Sequence, residues 1–118
     1  MIPGRIMLDS TREVILPHIN KTETLFERTR GLLGCRALAE GHGLLICPCN
    51  SIHTFFMAMP LDIIFLRKDN VIVAMKTNMP PQRFAISLAS SSVLELMAGQ
   101  IDRSGLRKGD RLVWESSI

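Results

Sequence analysis

The stretch Asp62–Lys76, DIIFLRKDNVIVAMK, decides the fold. Two runs rich in β-branched and aromatic residues, Ile63 to Leu66 and Val71 to Met75, flank the polar segment Arg67-Lys68-Asp69-Asn70. That is the pattern of a β-hairpin. An antiparallel strand pair is therefore the unit around which the other elements are read.

Downstream, Pro80-Pro81 breaks the chain and Val93 to Met97 is a further strand. Gly99 to Ser104 reads as a short helical turn closed by Gly105, and Gly109-Asp110 leads into a last strand, Arg111 to Glu115. Upstream, Leu44-Leu45-Ile46 and Ile52 to Met57 are candidate strands, the second ended by Pro60. Arg5 to Leu8 and Glu13 to Leu16 are two more, joined around Asp9-Ser10. One longer helix is predicted from about Lys21 to Leu33. Asn20 precedes Glu23 at capping-box spacing, Leu25, Phe26, Leu32 and Leu33 recur along one stripe with Thr29, and Gly34 can take the left-handed stop conformation. Interior Gly31 weakens that helix slightly. A polar loop, Arg36 to Gly43, follows it. Short strands with one well-defined helix and a short second one predict an α+β domain, mainly antiparallel and β-sandwich-like.

The 118 residues are read as one domain, 1–118, long enough to fold without a disulfide or structural metal. A composition of 47% hydrophobic and 21% charged residues is that of a globular chain. The formal charge is +3, but Lys and Arg are spread along the sequence, with no Tyr and one Trp to serve as stacking platforms. Nucleic-acid binding is not expected from that composition. No apolar run approaches the ~18 residues of a membrane span. MIPGRIMLDS lacks the basic start and apolar run of a secretory signal. Cytoplasm is the expectation, and the three cysteines are read as thiols, not a disulfide framework.

Chemistry-bearing side chains concentrate in CPCNSIHTFFM, Cys47 to Met57. Cys47, Cys49 and His53, with Cys35, form a set that tetrahedral zinc accepts. Against this, residues two apart in an extended chain are about 6.6 Å apart. Two sulfurs on one zinc lie within roughly 4 Å. The chain would have to bend at Pro48. Copper(I) would also accept Met57 and Met59, although these fit a strand core equally well. A thiolate–imidazole pair of Cys49 with His53 is the other possibility. Four residues of extended chain separate the two by about 13 Å, so the pair needs a turn over Cys49-Asn50-Ser51-Ile52. The structural alternative packs Cys47 as a small hydrophobe and leaves His53 on a backbone carbonyl. Asp62, flanked by Leu61, Ile63, Ile64 and Phe65, is expected to be partly buried. It could orient His53 or accept backbone N–H bonds, and the second role is favoured. Arg30 and Arg83 are candidate partners for it.

From about residue 22 to 115 the chain resembles a known family. The segments that carry the likeness are RGLLG (30–34), GLLI (43–46), IHTFFM (52–57), PLDIIF (60–65), VLELMAG (93–99) and GLRKGDRL (105–112). Together they resemble the domain of unknown function family 192, small proteins of bacteria and archaea. The resemblance implies a compact α+β, β-sandwich-like fold and no named reaction or cofactor. It implies that His53, Thr54 and Met57 match one branch of the family that also has a cysteine where Cys49 stands. Other branches carry an aromatic residue in that region. Asp62 matches the family's acid before its apolar strand. Glu95 and Gly99 match an E-L-P-A-G run in which this chain has Met97 in place of Pro.

The functional expectation is a small soluble binding or accessory domain whose partner is an unidentified small molecule or protein. Its ligand pocket is expected near Cys49, His53, Thr54, Met57 and Asp62. The alternatives are a thiol-dependent enzyme or redox protein using Cys49, His53 and Asp62, and a zinc or copper(I) protein using Cys47, Cys49 and His53. No phosphate loop, paired catalytic acids or triad names a reaction.

Overall fold

A computed structural model describes residues 1–32, 38–55 and 57–118. In chain order the strands are β1 (Gly4–Leu8), β2 (Val14–Leu16), β3 (His18–Lys21), β4 (His42–Ile46), β5 (Ser51–His53), β6 (Leu61–Leu66), β7 (Ile72–Met79), β8 (Phe84–Ile86), β9 (Ser92–Met97) and β10 (Leu112–Ser116). Helix α1 (Leu25–Arg30) lies between β3 and β4, and α2 (Gln100–Ser104) between β9 and β10. The expected hairpin is β6–β7, an antiparallel pair. Its turn closes with Arg67 N–H donating to the Val71 carbonyl at 2.9 Å. Asn70 sits at φ 67, a left-handed position that Asn tolerates better than most residues.

Five strands form the main sheet in the order β3-β4-β9-β6-β7. A three-stranded sheet, β10-β1-β2, faces it, and β5 and β8 make a small ribbon. The fold is α+β and mainly antiparallel, with one parallel pair, β3 on β4. Side chains alternate across the main sheet, so each central strand feeds two cores. Ile64, Leu66, Leu94 and Leu96 pack toward the three-stranded sheet with Ile6, Leu16 and Leu112. Ile63, Phe65 and Val93 point the other way and pack with Ile52, Met57 and Ala85 from the β5–β8 side. Being lined on both faces, β6 is buried along its whole length, which accounts for its near-continuous apolar run.

Three sequence expectations need correction. The helix occupies only Leu25–Arg30, and its capping box is Thr24 with Glu27, not Asn20 with Glu23. Asn20 and Lys21 are taken by the parallel ladder with Leu44 and Leu45. Gly31 ends the helix at φ 54 instead of lying inside it; Leu33, Gly34 and Cys35 fall outside the described residues. The helical stripe is also not core: Leu25 and Phe26 are 70% and 71% exposed. Finally, the strand expected over Ile52 to Met57 stops at His53. Two strands, β3 and β8, were not anticipated.

Gly43 sits in β4 between β3 and β9. A Cβ there would come within 2.5 Å of the Glu95 carbonyl oxygen and 2.6 Å of Leu96 Cδ2. Overpacking of this kind costs about 1–3 kcal/mol. Gly43→Ala is expected to lower the urea unfolding free energy by that amount, and an unchanged midpoint would contradict the close packing of β4 on β9.

Candidate functional site

β9 is hydrogen-bonded on both sides, to β4 and β6. Its alternation sends Leu94 and Leu96 into one core and Val93 and Glu95 toward the other side. A carboxylate therefore stands in the middle of the sheet, with Leu44 and Ile63 as its cross-strand neighbours. Glu95 is 4% exposed, and among the described residues no hydrogen bond or ion pair reaches its carboxylate. Burial without compensation raises its pKa from 4.5 to about 7. Beside it, the chain leaving α1 passes so closely that a Cβ on Gly31 would lie 2.7 Å from Glu95 Oε1.

Glu95 lines a cavity of about 200 Å³. Leu32, Ile46, Ile52 and Met57 supply its apolar wall. Arg28, Thr29 and Arg30 of α1, with Cys49, Ser51 and His53, supply the polar lining. Three of the expected site residues, Cys49, His53 and Met57, are thus brought to one cavity. Met57 is at the same time part of the core on that side of the sheet.

Among the described residues no hydrogen bond joins the Cys49 thiol to the His53 ring. Ile52 and His53 are in β5, paired with Ala85 and Phe84. The Cys49 thiol donates to the Ser51 carbonyl at 3.0 Å. Burial pushes the Cys49 thiol above its ordinary value, with the Glu95 charge acting in the same direction. That opposes thiolate formation and hence nucleophilicity at neutral pH. His53 is exposed, its ring stacked on Phe55 at 5.5 Å. Cys47 is half-buried, its amide donating to Thr22 Oγ1 at 3.4 Å. Among the described residues no group of three or more His, Cys, Asp or Glu side chains is placed to hold a metal ion; Cys35 lies outside them.

Thr54 and Asp62 are fully buried and do not line the cavity. Thr54 clasps the loop before β8: its hydroxyl donates to the Pro80 carbonyl at 2.7 Å and accepts from Arg83 N–H at 2.8 Å. Asp62 shares the parity of Ile64 and Leu66 on β6, so it leaves the sheet on the face opposite Glu95. It accepts three backbone N–H bonds, from Asn78 at 2.8 Å, Gly99 at 3.0 Å and Ile101 at 2.9 Å. One carboxylate thereby ties β7 and the start of α2 to β6. Hydrogen bonds to His53, Arg30 or Arg83 are not among these contacts.

Glu95 is the residue that spacing did not single out. An acid between leucines in a strand buried on both faces is the same signal that drew attention to Asp62.

Such an arrangement defines a class: a small sheet-rich α+β domain built on a mainly antiparallel main sheet. The chain belongs to the DUF192 family, described as Uncharacterized ACR, whose model matches residues 7–114. A UPF0127 protein of the archaeon Thermococcus sibiricus is 30% identical over 98 residues, 79% of this chain and 63% of that protein. The chain therefore spans less than two thirds of that relative's length. The crystal structure of a protein of unknown function from Novosphingobium aromaticivorans shares the fold, with a TM-score of 0.76 at 24% identity over 95% of this chain and 84% of that one. A Sinorhizobium meliloti structure, provisionally called a transcription regulator, has a TM-score of 0.80 at 26% identity, covering 96% of this chain and 92% of that one. No described helix is long and apolar enough to cross a membrane.

Two predictions follow from the contrasting acids. Replacing Asp62 by Asn puts an amide N–H₂ opposite backbone donors and is expected to cost on the order of 1–3 kcal/mol of stability, read from urea unfolding; a neutral outcome would remove Asp62 as the tie between β7 and α2. For Glu95 the sign is opposite. The unfolded chain ionises this group near 4.5 and the folded chain near 7, so the folded state holds the extra proton in between. Its contribution to stability falls as pH rises through that window and is level above it. Relative to Glu95→Gln, the wild type should lose on the order of 3 kcal/mol across the window. A pH-independent difference between the two proteins would defeat this assignment.

Proposed function

We propose that this protein is a binding domain for a small molecule and that the cavity floored by Glu95 is its ligand site. The observation that carries the reading is the carboxylate itself. A group 4% exposed, with no partner among the described residues, lines a cavity that is otherwise largely apolar. Ligand sites have this make-up: mostly apolar lining and a few convergent polar groups, one of them with a perturbed pKa. An acid needed only for stability would be saturated by backbone donors, as Asp62 is. In this reading Cys49, His53 and Met57 are contact residues, while Thr54 and Asp62 hold the frame that shapes the cavity.

Thiol catalysis is the less favoured reading, since burial holds Cys49 toward its neutral form. The regulator description of the Sinorhizobium protein is not carried over. Helices of six and five residues are too short to serve as a groove-reading helix.

The test is a thermal-shift screen of the full chain against a metabolite library. A ligand of this site at about one hundred times its Kd should stabilise the wild type by about 2–3 kcal/mol. That is several degrees in Tm, and the shift should vanish in Glu95→Gln while surviving in Cys49→Ser. If no compound gives a Glu95-dependent shift, the reading is wrong.

A further inference from the structure

We propose that the cavity receives a small zwitterion with the charge pattern of an α-amino acid, its ammonium group on Glu95 and its carboxylate on Arg28. This rests on the reading of the cavity as a ligand site and adds the class of ligand. Arg28 of α1 and Glu95 of β9 line the same cavity. Among the described residues neither has an ion-pair partner, and the two do not pair with each other. Opposite charges lining one small cavity are what a ligand carrying both signs would answer.

Each end selects chemically. An ammonium group would supply the buried carboxylate with the counter-charge and donors that the protein withholds, which is where a buried charge gains most. A guanidinium presents a planar fork of donors that matches a carboxylate, and Arg28 is half-buried at the cavity wall. A simple amine would leave Arg28 unanswered, and a simple acid would meet Glu95 with like charge. Ile46, Ile52 and Met57 line the same cavity and offer an apolar surface to the side chain, which branches from the carbon that carries both charges. The cavity, about 200 Å³, lies below the roughly 300–1,000 Å³ of drug-sized ligand pockets, which favours a small ligand. Both charges also act on the Cys49 thiol, Glu95 raising its pKa and Arg28 lowering it.

The experiment is isothermal titration calorimetry on the full chain above pH 7, where Glu95 is ionised. The probes are L-leucine, valine and methionine, with isoamylamine and isocaproate as leucine lacking one charge each. At least one of the three amino acids should bind. For leucine-type ligands, either single-charge analogue should be weaker by about tenfold or more, the loss expected for one charged hydrogen-bonded contact. Glu95→Gln should weaken the amino acid and the amine but not the acid. Arg28→Gln, a change at a half-exposed helix position that leaves both cores intact, should bring the amino acid down to the amine's affinity. Binding of isoamylamine as tight as leucine, or an amino acid affinity indifferent to Arg28→Gln, overturns the proposal. So does failure of all three amino acids. In that case a Glu95-dependent hit from the library screen preserves the cavity reading, and the lack of any such hit removes both.

Discussion

The structure turns on one constraint, the pairing of β9 on both sides in the centre of the main sheet. Strand side chains alternate with period two, so fixing the register of Ser92–Met97 against β4 and β6 fixes the face of every residue in it. Leu94 and Leu96 must fill the core shared with the three-stranded sheet, and Glu95 must then project to the other side. A one-residue slip would not free Glu95 but would send it into the core shared with the three-stranded sheet and turn Leu94 and Leu96 out of it. The apolar core thus holds a carboxylate where it is poorly solvated, and the cavity, the end of α1 at Gly31 and the thiol of Cys49 are arranged around it.

Two buried acids one strand apart show how context divides structural from functional roles. Asp62 has three backbone N–H groups on its oxygens and faces the core packed against the three-stranded sheet. It replaces the backbone partners that the start of α2 lacks, much as a capping side chain does. Glu95 has no such saturation among the described residues and retains its proton to about neutral pH. Identical chemistry, placed on opposite faces of one sheet, braces the fold in one case and is the proposed ligand contact in the other. The same division applies in CPCNSIHTFFM. Thr54 is spent on the loop to Arg83, whereas Cys49, His53 and Met57 reach the cavity.

Much of this architecture was legible in local pattern. The β6–β7 hairpin, the strands β1, β2, β4, β9 and β10, and the turn of α2 between Gly99 and Gly105 follow from alternation, apolar runs and turn residues, each of which acts over a few neighbouring positions. The errors cluster where a long-range contact overrode a local preference. Asn20 and Lys21 look like a helix start, yet a parallel strand partner, Leu44–Leu45, claims their backbone. Phe84–Ile86 gives little strand signal alone and becomes a strand by pairing with Ser51–His53.

The family resemblance, the mainly antiparallel α+β class and the burial of Asp62 were thus determined by the sequence itself, because they depend on residue type and near-neighbour spacing. Which side chains share a site was decided by the tertiary structure. Asp62 and Glu95 each stand amid apolar neighbours in the chain, and nothing in that pattern tells which face of the sheet either will occupy. Only the register of β6 on β9 separates them, sending Asp62 to the backbone donors at α2 and Glu95 to the cavity with Arg28, Cys49 and His53.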